Sequence, residues 1–133
     1  MIFKIFDCNS ERQTIIQAEK PEAKLPQFIL CPNRFMNRID QRRKLQKFSF
    51  DNDPDFSKMF ILRGKGQKKI NQTFSPEVRQ YLKDLPLKFY LEGLNDKLIF
   101  YKPVKRLKPT DLQPFYHQFK ELVPYFFRER GHG

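Results

Sequence analysis

Basic side chains make the strongest chemical pattern in this 133-residue sequence, and they fall in three clusters. The first, over 34–47, holds Arg34, Arg38, Arg42 and Arg43, with Lys44 and Lys47 beyond them. The second, over 63–69, holds Arg63, Lys65, Lys68 and Lys69. The third, over 102–108, holds Lys102, Lys105, Arg106 and Lys108. Guanidinium and ammonium groups gathered this way attract phosphates and carboxylates, with an affinity that falls as salt screens it. The chemistry on offer is anion binding, provided that the fold brings the clusters to one face. The plainer reading of the first cluster is a solvated helix face. Tyr90 and Tyr101 would add stacking surfaces if their rings were exposed; half-buried sheet residues are the alternative.

Other constellations fall short of chemistry. Asp51-Asn52-Asp53-Pro54-Asp55 opens like a calcium loop. Its sixth position is Phe56 where such a loop needs Gly, and its twelfth is Leu62 where it needs a bidentate Glu. A helix-capping turn is the better reading. Gly64-Lys65-Gly66 lacks the upstream glycine spacing of a phosphate-binding loop. His117 falls off the apolar stripe of its helix and His132 lies in the tail, so neither is placed for acid–base work. Ser57 and Ser75 read as a turn residue and a cap. Cys8 and Cys31 are too few for a disulfide framework; small buried thiols are expected, with a bridge between neighbouring strands as the alternative. No metal, cofactor or catalytic residue is expected.

Composition agrees with a binding role. Lys and Arg number 26 against 15 Asp and Glu, a formal charge of +11. Such a balance favours an anionic partner, whether a membrane surface, an acidic protein or nucleic acid. None of the familiar nucleic-acid signatures is present: no aromatic RNP-type strand, no Gly-x-x-Gly clamp, no zinc finger. No apolar run approaches the roughly 18 residues of a membrane span. The start, Met1-Ile2-Phe3-Lys4-Ile5-Phe6, is too short and charged for a signal peptide. These features predict a soluble, cytoplasmic protein.

The elements that must position these groups are legible from periodicity. Short strands are predicted at 1–6, 13–17, 27–31, 48–50 and 59–62, and a helix at 33–44. Ser75-Pro76-Glu77 starts a helix, with Ser as cap and Pro at the first position. Leu87, Phe89 and Leu91 alternate as a half-buried strand, 93–96 turns, and 97–102 returns as a strand apolar on both faces. Leu112, Phe115, Tyr116, Phe119, Leu122, Val123, Phe126 and Phe127 then draw one stripe of a long amphipathic helix. Thr110 and Gln113 have capping-box spacing at its start, and Pro124 predicts a kink or break near its end. The 15 Phe and 5 Tyr supply the core volume.

A set of short motifs resembles a known pattern. Leu25-Pro26 with Phe28 and Leu30 is followed by Asp55-Phe56-Ser57, Phe60-Ile61-Leu62-Arg63-Gly64, Phe74-Ser75-Pro76 and Leu91-Glu92-Gly93. Asp96-Lys97-Leu98, Tyr101-Lys102-Pro103, Arg106 and Lys108-Pro109 complete it. The pattern, over 25–127, is similar to an uncharacterised family of small bacterial domains that often accompany membrane-spanning segments. The resemblance implies no established activity, but it implies a place at or near the cytoplasmic face of a membrane. The chain departs from it in showing no span.

The expectation is therefore one α+β domain over 1–127 with a frayed tail at 128–133. It has a mostly antiparallel sheet of about five or six strands, helices on one face and a long C-terminal amphipathic helix. Strands at Phe28, Phe60 and Phe100 are expected to be central. The function expected is a non-catalytic interaction module with a basic surface. The alternatives are a nucleic-acid-binding protein and a small enzyme without a recognisable motif.

Overall fold

Phe28 and Leu30 pack with one apolar cluster and Ile29 and Cys31 with another, and all four are buried. Successive side chains of a strand point to opposite faces, so this strand, β3 (Leu25–Pro32), is covered on both sides. It belongs to a seven-stranded sheet in a computed structural model of the chain. The structure describes residues 1–8, 13–33, 45–86, 88–102 and 107–127, with 6, 7, 8 and 13 described by backbone alone.

The other strands are β1 (Ile2–Cys8), β2 (Gln13–Glu19), β4 (Gln46–Phe48), β5 (Phe60–Gly64), β6 (Tyr90–Asn95) and β7 (Lys97–Tyr101). The spatial order is β1-β2-β7-β6-β3-β5-β4, and every neighbouring pair is antiparallel. The sheet thus has seven strands against the five or six expected, and the strands of Phe28, Phe60 and Phe100 are all interior. The predicted strand near Phe48 starts two residues earlier, at Gln46.

Four helices are described: α1 (Pro54–Met59), α2 (Gln67–Thr73), α3 (Pro76–Lys83) and α4 (Pro109–Phe126). All contribute to one core with the same face of the sheet: Phe56, Ile70, Val78 and Leu82, and Phe115, Phe119, Leu122 and Phe126. This is the α+β arrangement expected. The helix predicted over 33–44 lies outside the described residues except for its first residue.

α4 crosses the sheet. Phe115 and Phe119 sit against Phe100 of β7, at ring separations of 4.4 and 5.0 Å. One end further on, Phe126 stacks on Phe28 of β3 at 5.8 Å. The expected capping box does not form. Lys108 is the cap residue, without a side-chain bond, and Pro109 opens the helix with its preset φ. Nor does Pro124 break it: the helix runs through both Pro114 and Pro124. Both prolines are exposed, as are Thr110 and Lys120, whose carbonyls lose their usual donors and can turn to water.

The hairpin between β6 and β7 turns later than expected. Leu94 pairs with Lys97, and Asn95 takes the left-handed conformation, φ 56°. Gly93, expected in the turn, is instead a strand residue. A Cβ there would lie 2.2 Å from Phe28 Cε2, so only glycine lets that ring lie flat on β6.

Candidate anion-binding site

The loop joining β2 to β3 leaves the sheet at Lys20 and is folded back by a tight turn. Ala23 N donates to Lys20 O at 3.1 Å, with Pro21 and Glu22 between them. Glu22 has φ 71°, a conformation that favours glycine at the third place of such a turn. The loop is held at both ends. Lys20 N donates to Asp96 O at 2.9 Å, and Lys20 Nζ donates to Phe127 O at 3.3 Å, at the C-terminus of α4. A cation there complements the negative end of the helix dipole.

Pinned in this way, the loop forms one wall of a groove of about 870 Å³. The opposite wall is α2, through Lys69, Gln72 and Thr73, and the first turn of α3, through Ser75 and Val78. Tyr125, Phe126 and Phe127 at the end of α4 complete the lining. Thr73 Oγ1 donates to Lys69 O at 2.8 Å, and Ser75 Oγ accepts from Val78 N at 3.3 Å, which fixes both elements locally. Tyr125 stacks on Tyr81 with ring centroids 4.0 Å apart. Burial, with Glu121 and Tyr125 adding to it, pushes the Tyr81 phenol up to about 12. Three lysines, Lys20, Lys24 and Lys69, line this groove with Glu22, a local excess of positive charge.

Of the twelve basic candidates, the groove takes in one, Lys69. Lys65 and Lys68 are exposed at the same end of the sheet, where Lys65 N donates to Gln27 O at 3.0 Å. Arg63 points to the face away from the helices and is half-buried. One of its terminal nitrogens donates to Leu45 O at 3.1 Å, which makes it a structural tie. Lys102 is half-buried with its ammonium 5.5 Å from the Phe115 ring centre, and Lys108 is the exposed cap residue of α4. Arg34, Arg38, Arg42, Arg43, Lys105 and Arg106 lie outside the described residues.

The second and third clusters are not one face. Gly64 pairs with Phe28, whereas Phe100 is level, through Leu91, with Leu30. The chain leaves β5 and β7 at opposite ends of the sheet. Lys65 and Lys102 are therefore separated by about five residue steps along the strands, ~16 Å, and by three strand spacings, ~14 Å. That distance of roughly 20 Å exceeds the ~8 Å screening length at physiological salt, so the two clusters do not add for one small ligand.

The tyrosine pair is also not a stacking platform. Tyr90 is buried against Tyr101, at 5.3 Å between rings, and Tyr101 donates its hydroxyl to Glu92 at 2.5 Å. Asp53, from the segment that resembles a calcium loop, caps α1 by accepting from Phe56 N at 3.3 Å and is paired with Arg79 and Lys83. Among the described residues no three His, Cys, Asp or Glu gather as a metal site. His117 is exposed beside Glu121 on the surface of α4, as expected from its place off the stripe. Cys31 is free and buried. β1, which carries Cys8, lies four strands from β3, about 19 Å, so the alternative of a bridge between these cysteines is excluded.

Lys20, Lys24 and Glu22 were not among the expected site residues, because 18–26 reads only as a polar loop. The available signal was Lys20-Pro21-Glu22, a turn in which a non-glycine residue must take positive φ. Among the described residues, no helix is long and apolar enough to cross a membrane. Comparison of the chain with family models, with curated proteins and with solved structures found no match.

Proposed function

We propose that this protein is a non-catalytic interaction module that docks an anionic membrane surface with the groove end of its sheet. The observation that carries the reading is the meeting of Lys20, Lys24 and Lys69 around one groove, with Lys65 and Lys68 exposed beside it. Lys20 is engaged with the end of α4, so among the described residues lining the groove Lys24 and Lys69 are the cations offered to phosphate. Lysines near an anionic leaflet gain about 1 kcal/mol each. Nucleic acid is the less favoured partner, because Tyr90 and Tyr101 are committed to packing and to Glu92 and offer no ring for base stacking.

The test is co-sedimentation with vesicles of phosphatidylserine and phosphatidylcholine, against phosphatidylcholine alone, over a salt series. Binding is expected only with the anionic lipid and weakens as salt rises. The double variant Lys24→Gln, Lys69→Gln loses about 2 kcal/mol, or roughly thirtyfold in affinity. Equal binding by the double variant overturns the reading. Tighter binding to a DNA or RNA oligonucleotide at the same salt transfers it to nucleic acid.

A further inference from the structure

We infer that the groove end of the sheet enters the membrane it docks: Leu94 and Ile2 insert into the apolar edge of the bilayer while the lysines around them meet its headgroups. The inference rests on the docking reading and adds an apolar anchor to it. Five large apolar side chains are exposed among the described residues. Three of them, Met1, Ile2 and Leu94, at 55%, 48% and 51%, lie at the end of the sheet where β2 runs into the groove loop. Apolar exposure gathered in one region marks a place where an apolar partner is met.

Strand register sets the anchors in one row. Ile2 pairs with Glu19, Glu19 with Lys97, and Lys97 with Leu94. Paired residues share a face, and the neighbouring Ala18 and Leu98 belong to the helix-side core, so this row faces away from the helices. Ile2 and Leu94 are three strand spacings apart, ~14 Å. The row is tied to the groove. Asp96 O accepts from Lys20 N at 2.9 Å, and Asn95 pairs with Leu25, a lining residue. Apolar tips and groove lysines therefore approach one surface as a unit.

That surface must be anionic outside and apolar beneath. At this end Lys20, Lys24, Lys65, Lys68, Lys69 and Lys97 outnumber Glu19, Glu22 and Asp96. Lys97 lies directly across the turn from Leu94, so its stem can follow an inserted leucine while its ammonium stays among the headgroups. Nucleic acid offers no apolar layer behind its phosphates. A protein partner favours a continuous apolar centre, whereas Ile2 and Leu94 are divided by the charged pair Glu19 and Lys97. A bilayer interface accepts separate anchors, and binding to it scales with apolar area plus attraction to anionic lipid.

The chain has no tryptophan, so Leu94→Trp supplies a single reporter. With vesicles of phosphatidylserine and phosphatidylcholine its emission is expected to shift to the blue, and to be quenched when the phosphatidylcholine is brominated on its acyl chains. Met59→Trp, 38% exposed in the parent and at the opposite end of the sheet, is expected to do neither. Leu94→Ser and Ile2→Ser, each at an exposed site, weaken vesicle binding about fivefold apiece and leave the thermal midpoint unchanged. Their effect persists in high salt, where the lysine contribution fades. Vesicle binding without a blue shift or quenching at position 94, with equal quenching at position 59, or undiminished in both serine variants overturns this inference and leaves the docking reading standing. No vesicle binding, or tighter binding to an oligonucleotide at the same salt, overturns both.

Discussion

Arg79 on α3 donates from Nε to Oδ2 of Asp53, the cap of α1, at 2.9 Å, and their side chains are only 6% and 13% exposed. The same guanidinium donates to Phe74 O at 2.8 Å and lies 4.1 Å above the ring of Phe50. Lys83 Nζ reaches the other oxygen of Asp53 at 2.8 Å. A single carboxylate thus caps one helix and fastens another, and its removal leaves a buried cation unpaired. Asp53→Ala is expected to cost about 3 kcal/mol of unfolding free energy, read from urea denaturation at pH 7. A loss under about 1 kcal/mol, the scale of an exposed pair, contradicts this account.

The same site predicts an acid response. The hydrogen bond from Lys83, followed by that from Arg79 and the cap bond from Phe56, holds the Asp53 carboxyl below its ordinary 3.8 against the opposing effect of burial. Because the folded value is the lower one, the folded protein binds this proton more weakly than the unfolded chain does. The stabilisation is present above 3.8 and is lost as pH falls through the folded value. Asp53→Asn is expected to flatten the stability profile below about pH 4, measured by thermal unfolding at pH 2.5 to 5. An unchanged profile assigns the acid sensitivity to other carboxylates.

Much of this architecture is legible in the sequence, for physical reasons that also mark where reading stops. Alternation at Phe89 and Leu91 and the stripe of Phe115, Phe119, Leu122 and Phe126 report one-sided burial, and these side chains are indeed core. Ser75-Pro76 reports a helix start through local chemistry, and it is one. Strand order cannot be read this way, because it is decided by contacts far apart in sequence. That is why Lys65 and Lys102 could be hoped to share a face until the register placed them at opposite ends. The same limit hid the groove. Lys20 and Lys69 are nearly fifty residues apart, and the packing of α2 on β3, with the bond from Lys20 to Phe127 O, brings the loop of one against the helix of the other.

Gly93→Ala tests the close approach inside the sheet. Phe28 is 2% exposed and packed against Phe74 at 5.0 Å and Phe126 at 5.8 Å, so its ring has nowhere to retreat from a new methyl group. A destabilisation of about 3 kcal/mol is expected, at the upper end for overpacking. The double variant Gly93→Ala, Phe28→Leu should recover part of it relative to the sum of the single changes, which a double-mutant cycle measures. Additive losses mean that the clash is not the cause.

Cys31 is predicted to be inert until the protein unfolds. Burial pushes its thiol from 9.0 up to about 12, against the opposing pull of a hydrogen bond with Tyr90 and the charge of Arg63. At pH 8 the thiolate fraction is then about one part in ten thousand. Iodoacetamide should modify Cys31 in the folded protein only at the rate of unfolding, followed by mass spectrometry of its peptide. The raised folded value also means that this group favours folding below pH 9.0 and that its contribution is lost as pH rises towards about 12. Fast labelling at pH 8 without loss of structure contradicts the burial argument.

Glu22 separates strain from charge in the groove. Its φ of 71° costs about 1 kcal/mol in a residue with a side chain, and glycine returns part of that through its freer unfolded chain. Glu22→Gly is therefore expected to stabilise the fold by about 0.5 kcal/mol. It also removes the carboxylate that lines the groove with Lys20, Lys24 and Lys69. Glu22→Gln keeps the strained backbone and removes the charge alone. If the groove docks an anionic surface, both variants bind phosphatidylserine vesicles about fivefold more tightly, from about 1 kcal/mol of relieved repulsion, and only Glu22→Gly gains stability. Equal stability gains in both variants would mean that the carboxylate, and not the backbone, is what destabilises the loop. Unchanged vesicle binding in both would separate Glu22 from the docking surface.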